Sequence, residues 1–240
     1  MCYTYRTYRS LANPHGLAAY QVQVGESDLA VWSTYMRQAE AKTILLKARR
    51  ALKAYMARRC EFEGALSPLP QDPAAPELVR RMLAAGLAAN VGPMAAVAGA
   101  IAAFVAEALA CPEVIVENGG DLYLKTNRPR TIALFAGKDS PFSYKLGLAI
   151  APEDTPLGVS TSAGTVGPSL SFGKADAATI LSPDCALSDA AATAVANLVK
   201  GPETIDRAIA KAKRIPGVTG CVVACGEKLG VWGRLNIVNL

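Results

Sequence analysis

The chain has 240 residues, 51% hydrophobic but only 6% aromatic, so its core must be built from Ala, Val, Leu and Ile. A net charge of +5 suits an anionic ligand and is too small to argue for nucleic acid. A single histidine, His15, in the turn-like "ANPHG", leaves almost no room for Ser-His catalysis or a multi-histidine metal site.

The six cysteines, at 2, 60, 111, 185, 221 and 225, form no C-x-x-C pair and read as reduced and mostly buried. Cys221 and Cys225 flank a strand-like "VVA", on one face but too far apart to bridge. The start "MCYTYRTYRS" lacks the apolar region of an export signal, so a cytoplasmic protein is expected.

In chain order, "YTYRTYRS", "AAYQVQVG" and "DLAVWSTYM" alternate apolar and polar residues and predict an antiparallel meander. Residues 38–60 predict a helix with Leu45, Ala48, Leu52, Tyr55 and Met56 on its apolar stripe. Lys42, Arg49 and Lys53 share another face, which reads first as a solvated one and second as a surface for a membrane or nucleic acid. "SPLPQDPAAP" is a Pro-rich connection. "APELVRRMLAAGLAAN" predicts a second helix, with Pro76 and Glu77 at its start.

"GPMAAVAGAIAAFVAEALA", residues 92–110, closes an uncharged run from Met82 to Ala106. Pro93 cannot sit inside a helix, so the run predicts two helices breaking at "NVGP" and not one membrane span. The second, residues 93–110, is mostly Ala and Gly and is expected to be buried on nearly all sides, with its start facing an anion near Gly92.

Strands are predicted in "EVIVENGGDLYLK", "RTIALFAG", "YKLGLAIA", "LGVSTSA" and "ATILS". Helices are predicted in "SDAAATAVANLVK" and "PETIDRAIAKAKRI", and strands again in "GVTGCVVACG", "KLGVWG" and "RLNIVN". Strands, helices, strands, then strands, helices, strands is not the alternation of a doubly wound sheet. It predicts an α+β fold of two antiparallel units.

Three segments stand out. In "ENGGD", Gly119 and Gly120 interrupt a strand pattern. They mark either a close approach to the backbone, with Glu117 and Asp121 as ligands, or a hairpin-like kink with surface carboxylates. "STSAGTVGPSLSFGK", Ser160 to Lys174, offers Ser160, Thr161, Ser162, Gly164, Thr165 and Lys174 to an anion. It does not match the P-loop spacing, and by composition alone it reads first as a mobile polar loop. In "SDAAATA", Ser188 is a good N-cap, and Asp189 and Thr193 share one helix face. A carboxylate and a hydroxyl can hold Mg²⁺ beside phosphate oxygens; alternatively Asp189 simply offsets the helix dipole.

Taken in order, these segments resemble the ApbE-like superfamily, the FAD:protein FMN transferases. Those proteins carry a glycine-led helix start, a "GGD" strand turn, "STSG" and an "AD-x-x-x-TA" helix. The counterparts here are "GPMAAVAG", "ENGGDLYL", "STSAG" and "SDAAATA", from about Asn90 to about Leu198. The chain is most similar to an uncharacterised UPF-type branch with "ENGGD", "TSSGT-x-G-x-S-x-S-x-GKADA" and "ADAAAT".

The resemblance implies a T-fold-related α+β fold of two β-β-α-α-β-β units, packed as one domain over residues 1–240, with halves of about 1–137 and 138–240. It implies FAD in a cleft between the units, Mg²⁺ on its pyrophosphate, and transfer of FMN to a threonine of a target protein. Asp189 and Thr193 match the metal ligands, with a carbonyl near Ala95 or Ala96 as the third. Gly119, Gly120 and Asp121 match the glycine turn, and Ser160 to Gly164 match "STSG".

The departures are specific. The transferases follow "STSG" with a segment containing His and "DP-x-TG", which is missing here. Ala96 stands where they carry lysine, and Pro168 where the UPF-type branch carries His. Two readings therefore stand: a Mg²⁺-dependent enzyme acting on a phosphoanhydride, with Lys174 and the 160–167 amides stabilising charge, or a protein of the same fold that binds a flavin, nucleotide or other anion without chemistry. A symmetric homodimer is the expected assembly.

Overall fold

The computed structural model describes residues 9, 12, 14–164 and 173–240. Most of the predicted strand "YTYRTYRS" lies outside the described residues, as do Cys2, Thr165 and Pro168.

The chain opens with a hairpin, β1 (Ala18–Val24) and β2 (Ser27–Ser33). Helices α1 (Gln38–Met56), α2 (Glu61–Gly64), α3 (Glu77–Ala89) and α4 (Val97–Leu109) follow. Strands β3 (Val114–Asn118), β4 (Asp121–Lys125), β5 (Arg130–Ala133), β6 (Leu146–Ile150), β7 (Leu157–Ser162) and β8 (Ala177–Ser182) lead to α5 (Cys185–Ala196) and α6 (Ile205–Lys213). Strands β9 (Gly220–Cys225), β10 (Lys228–Gly233) and β11 (Ile237–Asn239) end the chain.

Eight strands form one antiparallel sheet in the order β1-β2-β3-β4-β7-β8-β9-β10. A smaller sheet, β11-β6-β5, is also antiparallel. The helices cover one face of the large sheet and the small sheet covers the other, so the central strands bury both faces. Alternation assigns each residue to its layer. In β2, Leu29 and Val31 join the helix-side core, while Ala30 and Trp32 join the core between the sheets. In β3, Val114 and Val116 face the helices and Ile115 faces away.

The uncharged run is two helical segments that meet at 107°. Asn90, at φ 62°, ends α3. Pro93 then opens a single 3-10 turn, Pro93–Ala96, which continues as α4. Among the described residues no single helix is long and apolar enough to cross a membrane, although this bent pair has the length and composition together. Eight of the 13 residues of α4 are buried in the core, as expected for an Ala-rich packing helix.

Several expectations need correction. Helix α1 ends at Met56 and not at residue 60. "EVIVENGGDLYLK" is a hairpin and not one strand, because Gly119 and Gly120 adopt φ of 73° and 102° and reverse the chain between paired Asn118 and Asp121. Its acids are not surface carboxylates: Glu117 is 3% exposed and Asp121 7%. Ser188 is not the N-cap of α5. Asp184, in extended geometry, accepts the Ala186 and Leu187 amides, so the helix starts a turn earlier. In the predicted basic face of α1, Arg49 is paired with Glu26 and also donates to Ser27.

Candidate functional site

The four sequence segments meet at one end of the large sheet, on its helix side. The register places Asp121 opposite Ser160, which joins the glycine turn to the "STS" strand. Gly120 accepts the Thr161 amide across the same pair. Ser160 and Ser188 hydroxyls lie 2.7 Å apart, both fully buried, which ties β7 to the first turns of α5. Asp189, the next residue, accepts the Gly99 amide at 2.8 Å and so reaches the start of α4. Asn118 closes the ring by donating to the Ala98 carbonyl at 3.1 Å.

The close crossing of α4 and α5 depends on Gly99. A Cβ there would collide with the Cys185 carbonyl and stand 2.9 Å from Asp189 Cβ. Glycine inside a helix costs roughly 1 kcal/mol against alanine, so this one is retained for packing.

Helix α5 is enclosed by neighbours. Every one of its 12 residues is buried except Asp189 and Thr193, which stand one turn apart on one face. Asn197, one turn further and just beyond the helix, is also only partly buried. This short polar line is the open edge of an otherwise apolar element. Burial pushes the Asp189 carboxyl up to about 7, against the Gly99 and Ala98 amides, which favour its ionised form. Burial also pushes the Cys185 thiol well up, helped by the Asp121 and Asp189 carboxylates, so it is a poor nucleophile. Its Sγ donates to the Leu122 carbonyl.

Other expected site residues stand elsewhere. Gly92 is buried, with its amide on the Leu66 carbonyl, and packs against the Ala65–Leu66 backbone. Glu117 lies on the face away from the helices, where it pairs with Arg9 at 2.6 Å and accepts the Gly120 amide at 2.9 Å. Thr161 also points away from the helices and shares a hydrogen bond with Thr179. Ser162 is buried in β7 opposite Ala178. Gly164 bonds the Ala175 carbonyl, and Lys174 is exposed, with its amide on Val199 beyond the end of α5.

Gly99, Ala98, Asn118 and Arg9 were not singled out from the sequence. Gly99 left one signal, an isolated glycine in a helical pattern. Asn118 lay inside the quoted "ENGGD" but is recognisable only once the Ala98 carbonyl is beside it. Among the described residues no three His, Cys, Asp or Glu side chains converge as a metal site. The donors that do suit a cation are the Asp189 carboxylate and the Thr193 hydroxyl. Both are hard oxygens, which fits Mg²⁺ better than a soft metal, with ligand oxygens or water completing the shell.

A family model described as "AbpE bacteria" matches residues 9–215. A UPF0280 protein of Methanocella arvoryzae is 45% identical over 194 residues, which covers 80% of this chain and 78% of that protein. A UPF0280 protein of Methanosarcina acetivorans is 44% identical over 199 residues, 81% of this chain and 78% of that protein. Among solved structures, the flavinyl transferase ApbE of Pseudomonas stutzeri, in its apo form, matches with a TM-score of 0.60 at 16% identity, over 90% of this chain and 94% of that one. The flavin transferase ApbE from Vibrio cholerae matches with a TM-score of 0.54 at 14% identity, over 90% and 96%. At these identities the likeness shows a shared fold.

Proposed function

The chain belongs to the ApbE-like family, in the uncharacterised UPF0280 branch, and we propose that it binds a flavin or another phosphate-bearing ligand with Mg²⁺ along the open line of α5. The observation that carries this reading is that Asp189 and Thr193 alone are only partly buried on a helix whose other residues are all buried. Two polar residues one turn apart, at the meeting point of four hydrogen-bonded segments, form a place where a ligand can reach both the cation donors and nearby backbone amides.

Each part of the chain then has a task. Asp189 and Thr193 would hold the cation. The Gly119–Gly120 turn would bring backbone close to the ligand, and Lys174 would add positive charge beyond the end of α5. Bound there, Mg²⁺ would neutralise charge on the phosphate oxygens. Ser160 and Ser188 are bonded to one another, so their role is to hold β7 against α5.

We also read residues 1–240 as one domain of two T-fold-related halves, about 1–137 and 138–240. Helices α1 to α4 separate the hairpins β1-β2 and β3-β4, and α5 and α6 separate β7-β8 and β9-β10, which supports that reading. Strands β5, β6 and β11 are additional to it.

A second reading, binding without transfer, rests on Ala96. The resemblance would place lysine there, but the site holds a fully buried methyl group and supplies no cation. One experiment separates the two. Purified protein is incubated with FAD and Mg²⁺, and AMP and FMN are measured. Release that is lost in Asp189→Ala supports transfer chemistry. Binding without release supports the second reading. Absence of any flavin or nucleotide binding sinks both.

A further inference from the structure

Beneath the glycine turn, on the face away from the helices, lies a buried charge cluster. Alternation turns Glu117 of β3 and Asp28 of β2 to that side, since their neighbours Val116 and Leu29 face the helices. Arg9, 108 residues before Glu117, lies against both. Its Nε donates to Glu117 Oε2 at 2.6 Å, its Nη1 to Asp28 Oδ2 at 2.8 Å, and its Nη2 to the Asp28 carbonyl at 2.8 Å. The three side chains are 7%, 4% and 6% exposed for Arg9, Glu117 and Asp28.

Two carboxylates this deeply buried repel one another and lose hydration. A guanidinium that reaches both offsets each cost, which a lysine ammonium cannot do with the same forked geometry. The second oxygen of Glu117 is engaged elsewhere. Oε1 accepts the Gly120 amide at 2.9 Å. Gly120 is partly exposed and Gly119 exposed, so the turn itself meets solvent while its support is buried. Both glycines hold positive φ, and with no side chains of their own they rely on backbone bonds such as this one to fix the turn.

We propose that Arg9 is a positioning residue for the glycine turn: through Glu117 it sets the direction of the Gly120 amide and so shapes the ligand site from the opposite face of the sheet. This rests on the ligand reading above only for its consequence. The positioning itself is a statement about the turn. Arg9 is thereby a working part of the site, and shortening the chain past it removes that support.

The test uses the full chain. Amide hydrogen exchange is followed residue by residue for wild type, Arg9→Lys, Glu117→Ala and the double variant, with FAD binding measured in parallel by fluorescence with Mg²⁺. Arg9→Lys is expected to speed Gly120 exchange about tenfold or more, while amides far across the sheet, such as Val222 in β9, stay unchanged. In the Glu117→Ala background the lysine substitution should add nothing, because its route to Gly120 is already cut. FAD affinity should fall about fivefold or more in Arg9→Lys, with Arg9→Ala lower still where it folds. Unchanged Gly120 exchange in folded Arg9→Lys overturns the proposal, and so do additive effects in the double variant. Loosened Gly120 with unchanged FAD affinity overturns its role in binding. If wild type binds no FAD, the functional reading fails and Gly120 exchange still decides the role of Arg9.

Discussion

The Asp189 carboxylate accepts the Gly99 amide hydrogen across 2.8 Å, so one helix supplies the N-terminal cap of another. First-turn amides of a helix have no partner within it. Ala96, at the N-cap of α4, has no side-chain acceptor to offer them, and α5 provides one for Gly99. The same carboxylate is a proposed cation ligand, which links helix stability to ligand binding and gives the first prediction.

Burial raises Asp189 to about 7 in the folded chain, from the ordinary 3.8. The folded state therefore binds more protons than the unfolded one between those values. Its contribution to stability is full below about pH 4 and is lost as pH rises to about 7. Asp189→Asn, which keeps an oxygen acceptor and cannot ionise, should flatten this stretch of the curve. Urea denaturation at pH 4 and pH 8 measures it: the variant should gain on wild type at pH 8. Mg²⁺ added at pH 8 should stabilise wild type and leave Asp189→Asn unmoved, if Asp189 holds the cation.

Gly99→Ala should destabilise the protein by about 1–3 kcal/mol, because the added methyl group meets the Cys185 carbonyl and must push α4 and α5 apart. Gly64→Ala is the control. Nothing lies within 4 Å of a Cβ at that position, so thermal unfolding should shift little.

The buried hydroxyl pair predicts an order. Ser188→Ala strands the Ser160 hydroxyl, which is fully buried and has Ser188 as its bonding partner, and should cost about 1–3 kcal/mol. Ser160→Ala should cost less, since Ser188 keeps its bond to the Cys185 carbonyl at 3.0 Å. Asp184→Ala removes the true cap of α5 and should cost about 1 kcal/mol. Chemical denaturation of the three variants checks the ranking.

Thiol labelling offers a solvent-access test. Cys60 is exposed, whereas Cys111, Cys185, Cys221 and Cys225 are buried. Burial also raises Cys221, to about 12, and Cys225. In a Cys2→Ser background, native protein should react promptly with about one equivalent of an aromatic disulfide reagent, and Cys60→Ser should abolish that reaction.

Much of the fold was legible locally. Pro93 broke the uncharged run where the chain bends, and alternation in "AAYQVQVG" and "DLAVWSTYM" marked β1 and β2. The glycine pair was legible as a feature, but its meaning was not. A kink and a hairpin share one sequence signal until the register of β3 against β4 is known. Ser188 misled for a related reason. It has the chemistry of an N-cap, and so has Asp184 four residues earlier. The choice falls to whichever backbone is extended where the strand ends.

By itself the sequence determined the kinds of element, their order and the four segments on which the family resemblance rests, because periodicity and turn chemistry act over a few neighbouring residues. Only the tertiary structure decided which polar groups serve which partners. Asp189 meets Gly99 across 90 positions, and Arg9 meets Glu117 across 108. No local pattern encodes such pairs. They exist because each buried polar group must find a donor or acceptor once water is excluded, and the packing of sheet and helices sets which groups are near. The i, i+4 spacing already put Asp189 and Thr193 on one face of α5, but only the packing shows that this face is the one its neighbours leave partly open.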